Sequence, residues 1–138
     1  MTSSEEVTVS VYERIGGQDC IDQLVEVFYE TMDIMPDARA LRAMHAPDLT
    51  ETKRVLKLYL AEWLGGPRHY SAERGHPRLR MRHMGAPIGA AERDAWMMCM
   101  TNALHACIED PAIRSGIHES MSKLADWMRN KPGDMPGQ

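Results

Sequence analysis

The sequence predicts an all-α fold, and three observations carry that reading. Apolar residues recur at helical spacing in four long segments, no segment alternates as a strand does, and the breaks between segments hold residues that stop and start helices. A chain of 138 residues fits one domain, and folding at this size removes roughly two-thirds of the unfolded surface from water. The apolar share, 43%, is ordinary for a globular protein and too high for a disordered one.

Taken in order, the first buried face is Ile21, Leu24, Val25, Phe28 and Met32, spaced as one side of a helix. Gly16-Gly17 ahead of it reads as the turn that lets this helix set off at a new angle, and Pro36 ends or kinks it. A short stretch with helical character, Asp37 to His45, follows. Asp48, with Glu51 three residues on, then resembles a capping box for the next helix. That helix carries Val55, Leu56, Tyr59, Leu60 and Trp63 on one side and stops at Leu64-Gly65-Gly66-Pro67. From Arg68 to Gly89 the pattern fails, in a segment holding five arginines, three histidines and several Gly and Pro residues. An irregular stretch of that length inside a compact domain is usually functional or mobile. Two helices finish the chain. Trp96, Met100, Ala103, Leu104, Cys107 and Ile108 define the first. Asp110-Pro111, a cap followed by a first-turn proline, introduces the second, with Ile113, Ile117, Met121, Leu124 and Met128 inward. The expected organisation is a flexible extension over 1–11, a single helical domain over 12–130 and a flexible polar tail over 131–138.

Charge and composition exclude several function classes. A net charge of −4 and a pI near 5.8 argue against a general nucleic-acid or membrane-surface binder. Met1-Thr-Ser-Ser-Glu-Glu shows no secretory signal, and no apolar run approaches the length of a membrane span. Cys20, Cys99 and Cys107 form no C-x-x-C or zinc-type spacing, so a reducing, cytoplasmic setting is expected. Cys99 and Cys107 sit roughly 12 Å apart along one helix, too far to bridge. Twelve Met against a single Phe is unusual. Methionine moulds itself around irregular objects, but plain core filling is the default reading.

Four amphipathic helices ordinarily suggest a bundle, which leaves the Gly/Pro/basic middle segment unexplained. A solvated loop is the more frequent explanation of such residues. A buried acidic cofactor would also account for Arg78, Arg80 and Arg82 beside histidines, and haem has the required chemistry: an apolar macrocycle, two propionates, and iron that takes a neutral imidazole.

Several blocks of the sequence resemble the truncated haemoglobins, and within them the second group, also called O-type. These are Gly16-Gly17, Phe28-Tyr29, Trp63-Leu64-Gly65-Gly66-Pro67, Arg93-Asp94-Ala95-Trp96 and the uninterrupted run Gly75-His76-Pro77-Arg78-Leu79-Arg80-Met81-Arg82-His83. The similarity extends from Tyr12 to Asn130. It implies a two-over-two helical sandwich around one haem b, with the Tyr29 and Leu56 helices in one layer and the Trp96 and Met121 helices in the other.

The resemblance also implies a role for each matched residue. His83 becomes the proximal iron ligand. Tyr29, His45 and Trp96 become distal hydrogen-bond donors to a bound gas, with Phe28 beside them; an aromatic core residue with a satisfied polar tip is the plainer account of Tyr29 and Trp96. Thr52 takes the distal gate position. Leu56 lies over the haem plane, and Tyr59 and Leu60 wall its edge. Arg82, Tyr70 and His76 are candidate propionate contacts, whereas Arg78 and Arg80 read as solvated or as structural ion pairs. Gly85-Ala86 departs from the Pro-Phe usual after the proximal histidine, and Met84 or Met81 is the candidate to fill that space.

The function implied is reversible binding of dioxygen, with CO and NO as further ligands, in a monomer or homodimer. The same site in an enzyme would perform peroxidase-type or nitric-oxide-oxidising chemistry and would need an external reductase. A haem-free helical interaction module ranks below both.

Overall fold

The computed structural model describes residues 9–75 and 88–128. Seven α-helices lie among them: α1 (Val11–Arg14), α2 (Gln18–Ile34), α3 (Arg39–Ala43), α4 (Thr50–Trp63), α5 (His69–Arg74), α6 (Ala90–Cys107) and α7 (Pro111–Trp127), with a 3₁₀ turn at Pro36–Ala38. No strand occurs among the described residues, so the all-α expectation holds. α2 packs most extensively on α6, α6 on α7, and α2 on α4. The pair α2/α4 therefore lies across the pair α6/α7.

Local chemistry explains where these helices begin and end. Ser10 caps α1, its Oγ accepting from the Glu13 N–H at 3.1 Å. Ser10 and Val11 thus form the start of α1. Gly17 precedes α2 with φ +71°, in the left-handed region that favours glycine. α2 stops at Ile34 because Met35, before Pro36, turns extended. α7 opens on Asp110, whose carboxylate accepts from the Ala112 and Ile113 N–H groups at 2.9 and 3.3 Å, with Pro111 in the first turn.

The W-L-G-G-P block is a docking point. The Tyr12 N–H donates to the Leu64 carbonyl at 2.9 Å, and the Tyr12 ring lies so close to Gly66 that a Cβ there would sit 2.6 Å from it. Gly65 adopts φ +96°. The two glycines let α1 close over the end of α4.

Ile21, Leu24, Val25, Phe28 and Met32 are all buried, as their spacing predicts. Met32, Met100 and Met121 stand with them among the largest fully buried side chains, so methionine does fill the core. On α4, of the five residues expected on one side, Leu60 is buried and Val55, Leu56, Tyr59 and Trp63 are half-covered by the described residues, the last three packed against the core. The expected capping box is a correction. Asp48 accepts from the Thr50 N–H and hydroxyl at 2.9 and 2.7 Å, while Glu51 turns forward to Arg54 instead of back to Asp48. The arginine offers a bidentate partner that a single N–H does not match. The second correction is α5, a helix within the segment read as irregular. Its six residues are too few to show a period, and tertiary contacts hold it: Glu62 accepts from the Ser71 N–H and hydroxyl, and Arg54 bridges to Glu73.

Candidate functional site

Three elements bring four of the predicted residues together. α2 carries Phe28 and Tyr29 on its buried side, the turn after α3 carries His45, and α6 carries Trp96. The Phe28 ring is the hub. It meets Tyr29 edge-on at 4.8 Å between centroids and Trp96 at 5.2 Å, in the T-shaped arrangement that aromatic quadrupoles favour. Tyr29 in turn meets His45 at 5.8 Å. Phe28 is fully buried and Tyr29 4% exposed, whereas Trp96 and His45 are half-buried.

Burial pushes the Tyr29 phenol above its ordinary pKa, against the smaller opposing pull of the Arg42 charge. Its hydroxyl therefore keeps its proton throughout the neutral range and stays a donor. His45 is oriented by its own backbone: Nδ1 lies 3.0 Å from the Leu41 carbonyl. A carbonyl only accepts, so the proton sits on Nδ1 in that bond. The neutral ring then presents Nε2 as an acceptor, and His45 donates at Nε2 only when doubly protonated.

Arg42 is the residue that sequence reasoning missed. Its guanidinium donates to Asp33 at 2.6 Å and to the Ala46 and Pro47 carbonyls at 3.0 Å each. It thereby pins the turn that carries His45. The signal was invisible because its partners are backbone oxygens and an aspartate on another helix. Thr31 was missed for a similar reason. Its hydroxyl donates to the Val27 carbonyl at 2.8 Å and accepts from Asn102 at 2.9 Å, tying α2 to α6 near the aromatic cluster.

Other predicted residues lie along α4 and α5. Leu56 and Tyr59 pack half-buried against the same core, and Leu60 is buried within it. Tyr70, on α5, is buried and meets Tyr59 edge-on at 5.4 Å. Burial, with Tyr70 and Glu62 adding to it, raises the Tyr59 pKa to about 12. Glu26 holds α4 in place by accepting from Lys53 at 2.9 Å and Lys57 at 3.0 Å. Thr52 is half-buried in the first turn of α4. On the far side, Arg93 of the R-D-A-W block bridges Asp94 and the α7 residue Asp126, while Ala95 is buried and Trp96 turns to Phe28. His76, Arg82, His83 and Met84 lie outside the described residues.

Residues 10–130 match the family described as bacterial-like globin. The Group 2 truncated hemoglobin YjbI of Bacillus subtilis is 44% identical over 120 residues, covering 87% of this chain and 88% of that protein. Among solved structures, the group II 2-on-2 hemoglobin of Agrobacterium tumefaciens superposes with a TM-score of 0.88 at 42% identity, over 95% of this chain and 99% of that one. The group II truncated hemoglobin of Bacillus anthracis gives 0.84 at 36% identity, over 95% and 98%. The chain belongs to the bacterial-like globin family. Within that family its fold is the two-over-two sandwich, and its relatives are group II truncated haemoglobins.

Globin membership implies a haem cofactor, and the described residues fit one. α4 offers an apolar row, Leu56 and Tyr59, that the described residues leave half-covered, and the aromatic cluster adds a protonated phenol and an indole. Apolar surface edged by a few neutral donors suits an apolar macrocycle with a polar ligand. Among the described residues no helix is long and apolar enough to cross a membrane.

Proposed function

We propose that the chain holds haem b through His83 and binds dioxygen, CO and NO reversibly on the side lined by Phe28, Tyr29, His45 and Trp96. The observation that supports this most is the gathering of those four residues from three separate elements, with Tyr29 and Trp96 against the single Phe and His45 against Tyr29. Leu56, Tyr59, Leu60 and Met84 would line the macrocycle, Thr52 would flank the distal entry, and Arg82, Tyr70 and His76 would meet the propionates. When bound, haem supplies an iron that takes a diatomic gas.

The chain's own residues then set how long the gas stays. The Tyr29 hydroxyl and Trp96 indole would donate to it, and both are neutral, so their donation would be indifferent to pH near neutrality. Neutral His45 accepts at Nε2, which suits it to orient a neighbouring donor instead of serving as one. Two fixed donors slow release, which favours sensing, storage or scavenging over bulk delivery. A cytoplasmic setting and an external electron donor complete the proposal.

The test is the visible spectrum of the purified, haem-supplied protein in ferric, dithionite-reduced and CO-bound states, beside His83→Ala. A Soret band that moves on reduction and carbonylation in the parent, and is lost or altered in the variant, is expected. A folded parent that takes up no haem refutes the proposal, and an oxygen release rate as fast as a transport globin's refutes its distal half.

A further inference from the structure

Two cysteines from opposite ends of the sequence meet where α2 begins and α6 ends. Cys20 lies in the first turn of α2, and Cys107 is the last residue of α6. The Cys20 thiol approaches the Cys107 carbonyl oxygen at 3.7 Å, within reach of a weak S–H donor. That oxygen hangs about 2.4 Å from its own Cα, so the Cys20 sulfur sits within roughly 6 Å of the atom that carries the Cys107 side chain. A disulfide asks for Cα atoms about 4.4–6.8 Å apart, so closure needs the two helix ends to settle at that spacing. The thiols are near enough for Cys107 to add to the rise in the Cys20 pKa that burial causes. All three cysteines are free thiols.

We infer that Cys20 and Cys107 form a dithiol pair that closes to an intramolecular disulfide under peroxide-class oxidants, stapling the start of α2 to the end of α6. Burial assigns the order of events. Cys107 is half-buried and Cys20 buried, so Cys107 meets the oxidant first. Its sulfur attacks one peroxide oxygen and the O–O bond breaks. Sulfenic acid forms, and the other oxygen leaves as water with the thiol proton. The Cys20 sulfur then attacks the sulfenic sulfur, and the S–O bond breaks. A second water departs with the Cys20 proton. Two thiols are oxidised to one disulfide while one peroxide is reduced to two waters. Cys99, fully buried on α6 with its pKa pushed to about 11, stays reduced and serves as an internal control. The staple would join the two helices whose middles carry Phe28, Tyr29 and Trp96, and it stands independently of haem.

The experiment treats the purified protein with limiting hydrogen peroxide, blocks remaining thiols with N-ethylmaleimide in denaturant, digests without reductant and maps peptides by mass spectrometry. The expected result is a Cys20–Cys107 cross-linked peptide with Cys99 alkylated. A thermal midpoint on the order of 10 °C above the dithiothreitol-reduced form should accompany it. In Cys20→Ser, Cys107 should stop at a sulfenic acid that dimedone traps. If that variant fails to fold, the parent map still decides. Recovery of both thiols as maleimide adducts, a Cys107–Cys107 link between chains, or Cys107 driven to sulfinic acid in the parent would overturn the inference.

Discussion

Arg42→Met tests whether one guanidinium holds the turn that presents His45. The substitution keeps an apolar stem and removes the bonds to Asp33, Ala46 and Pro47. The two carbonyl bonds contribute about 0.5–1.5 kcal/mol each. The Asp33 pair is half-exposed and adds roughly 0.2–1 kcal/mol after screening. A total near 2 kcal/mol should lower the urea midpoint by about 1 M, taking a slope of about 2 kcal/mol/M for a chain of this size, with the slope unchanged. The loss should also be local. Arg42 and Leu41 accept from the His45 and Met44 N–H groups at 3.0 and 3.1 Å, so peptides spanning 39–49 should exchange amide hydrogens faster while α2 and α6 hold their protection. A midpoint shift under ~0.3 M would refute the energetic reasoning. Exchange raised equally in α2 and α6 would refute the claim that Arg42 acts on this turn.

Two further predictions concern the frame around the site. Gly66→Ala places a methyl against the Tyr12 ring and should cost about 1–3 kcal/mol, most of it relieved in the Gly66→Ala/Tyr12→Ala pair; additive losses in a double-mutant cycle would argue against the contact. Glu26 has a folded pKa held below its ordinary 4.5 by Lys53 and then Lys57, so its stabilisation is complete above that value and fades as pH falls through the lower folded value. Glu26→Gln should therefore cost at most about 1 kcal/mol at pH 7, since the pair is well exposed, and nothing in acid below both values. A gap that stays constant in denaturation midpoints from pH 7 to pH 3 would disprove it.

What was legible from sequence followed from periodicity and from motif blocks. The α2 face could be read because every fourth or third residue is apolar and no element competes for them. Tyr29 and Trp96 were legible because each sits in a block whose neighbours are constrained: Phe28 by the core, Arg93 by its pair with Asp126. Hidden features depend on partners that sequence distance conceals. Thr31 and Asn102 are 71 positions apart, and Cys20 and Cys107 are 87. The half-covered face of α4 could not be told from a buried one, since spacing reports which residues share a side and not what lies over them. The orientation of His45 was hidden as well, because no pattern announces that its Nδ1 faces the Leu41 carbonyl.

The placement of the one phenylalanine ties core and site together. Elsewhere the interior is filled by aliphatic side chains and by Met32, Met100 and Met121, unbranched residues that fill space without imposing an orientation. A cluster that must hold a phenol and an indole at set angles needs something stiffer. Phe28 has two rotatable bonds, no polar atom to satisfy, and two faces and an edge with distinct charge. Fully buried between Tyr29 and Trp96, it meets the two rings at 80° and 64°, so among the described residues the phenol and the indole are positioned through packing and not through hydrogen bonds of their own. Their O–H and N–H groups then need not be committed to protein acceptors for alignment. A cluster assembled this way can be rigid in its aromatic body and still leave its polar tips uncommitted, which is what the proposed ligand-binding role requires and what an alignment made through those tips would forbid.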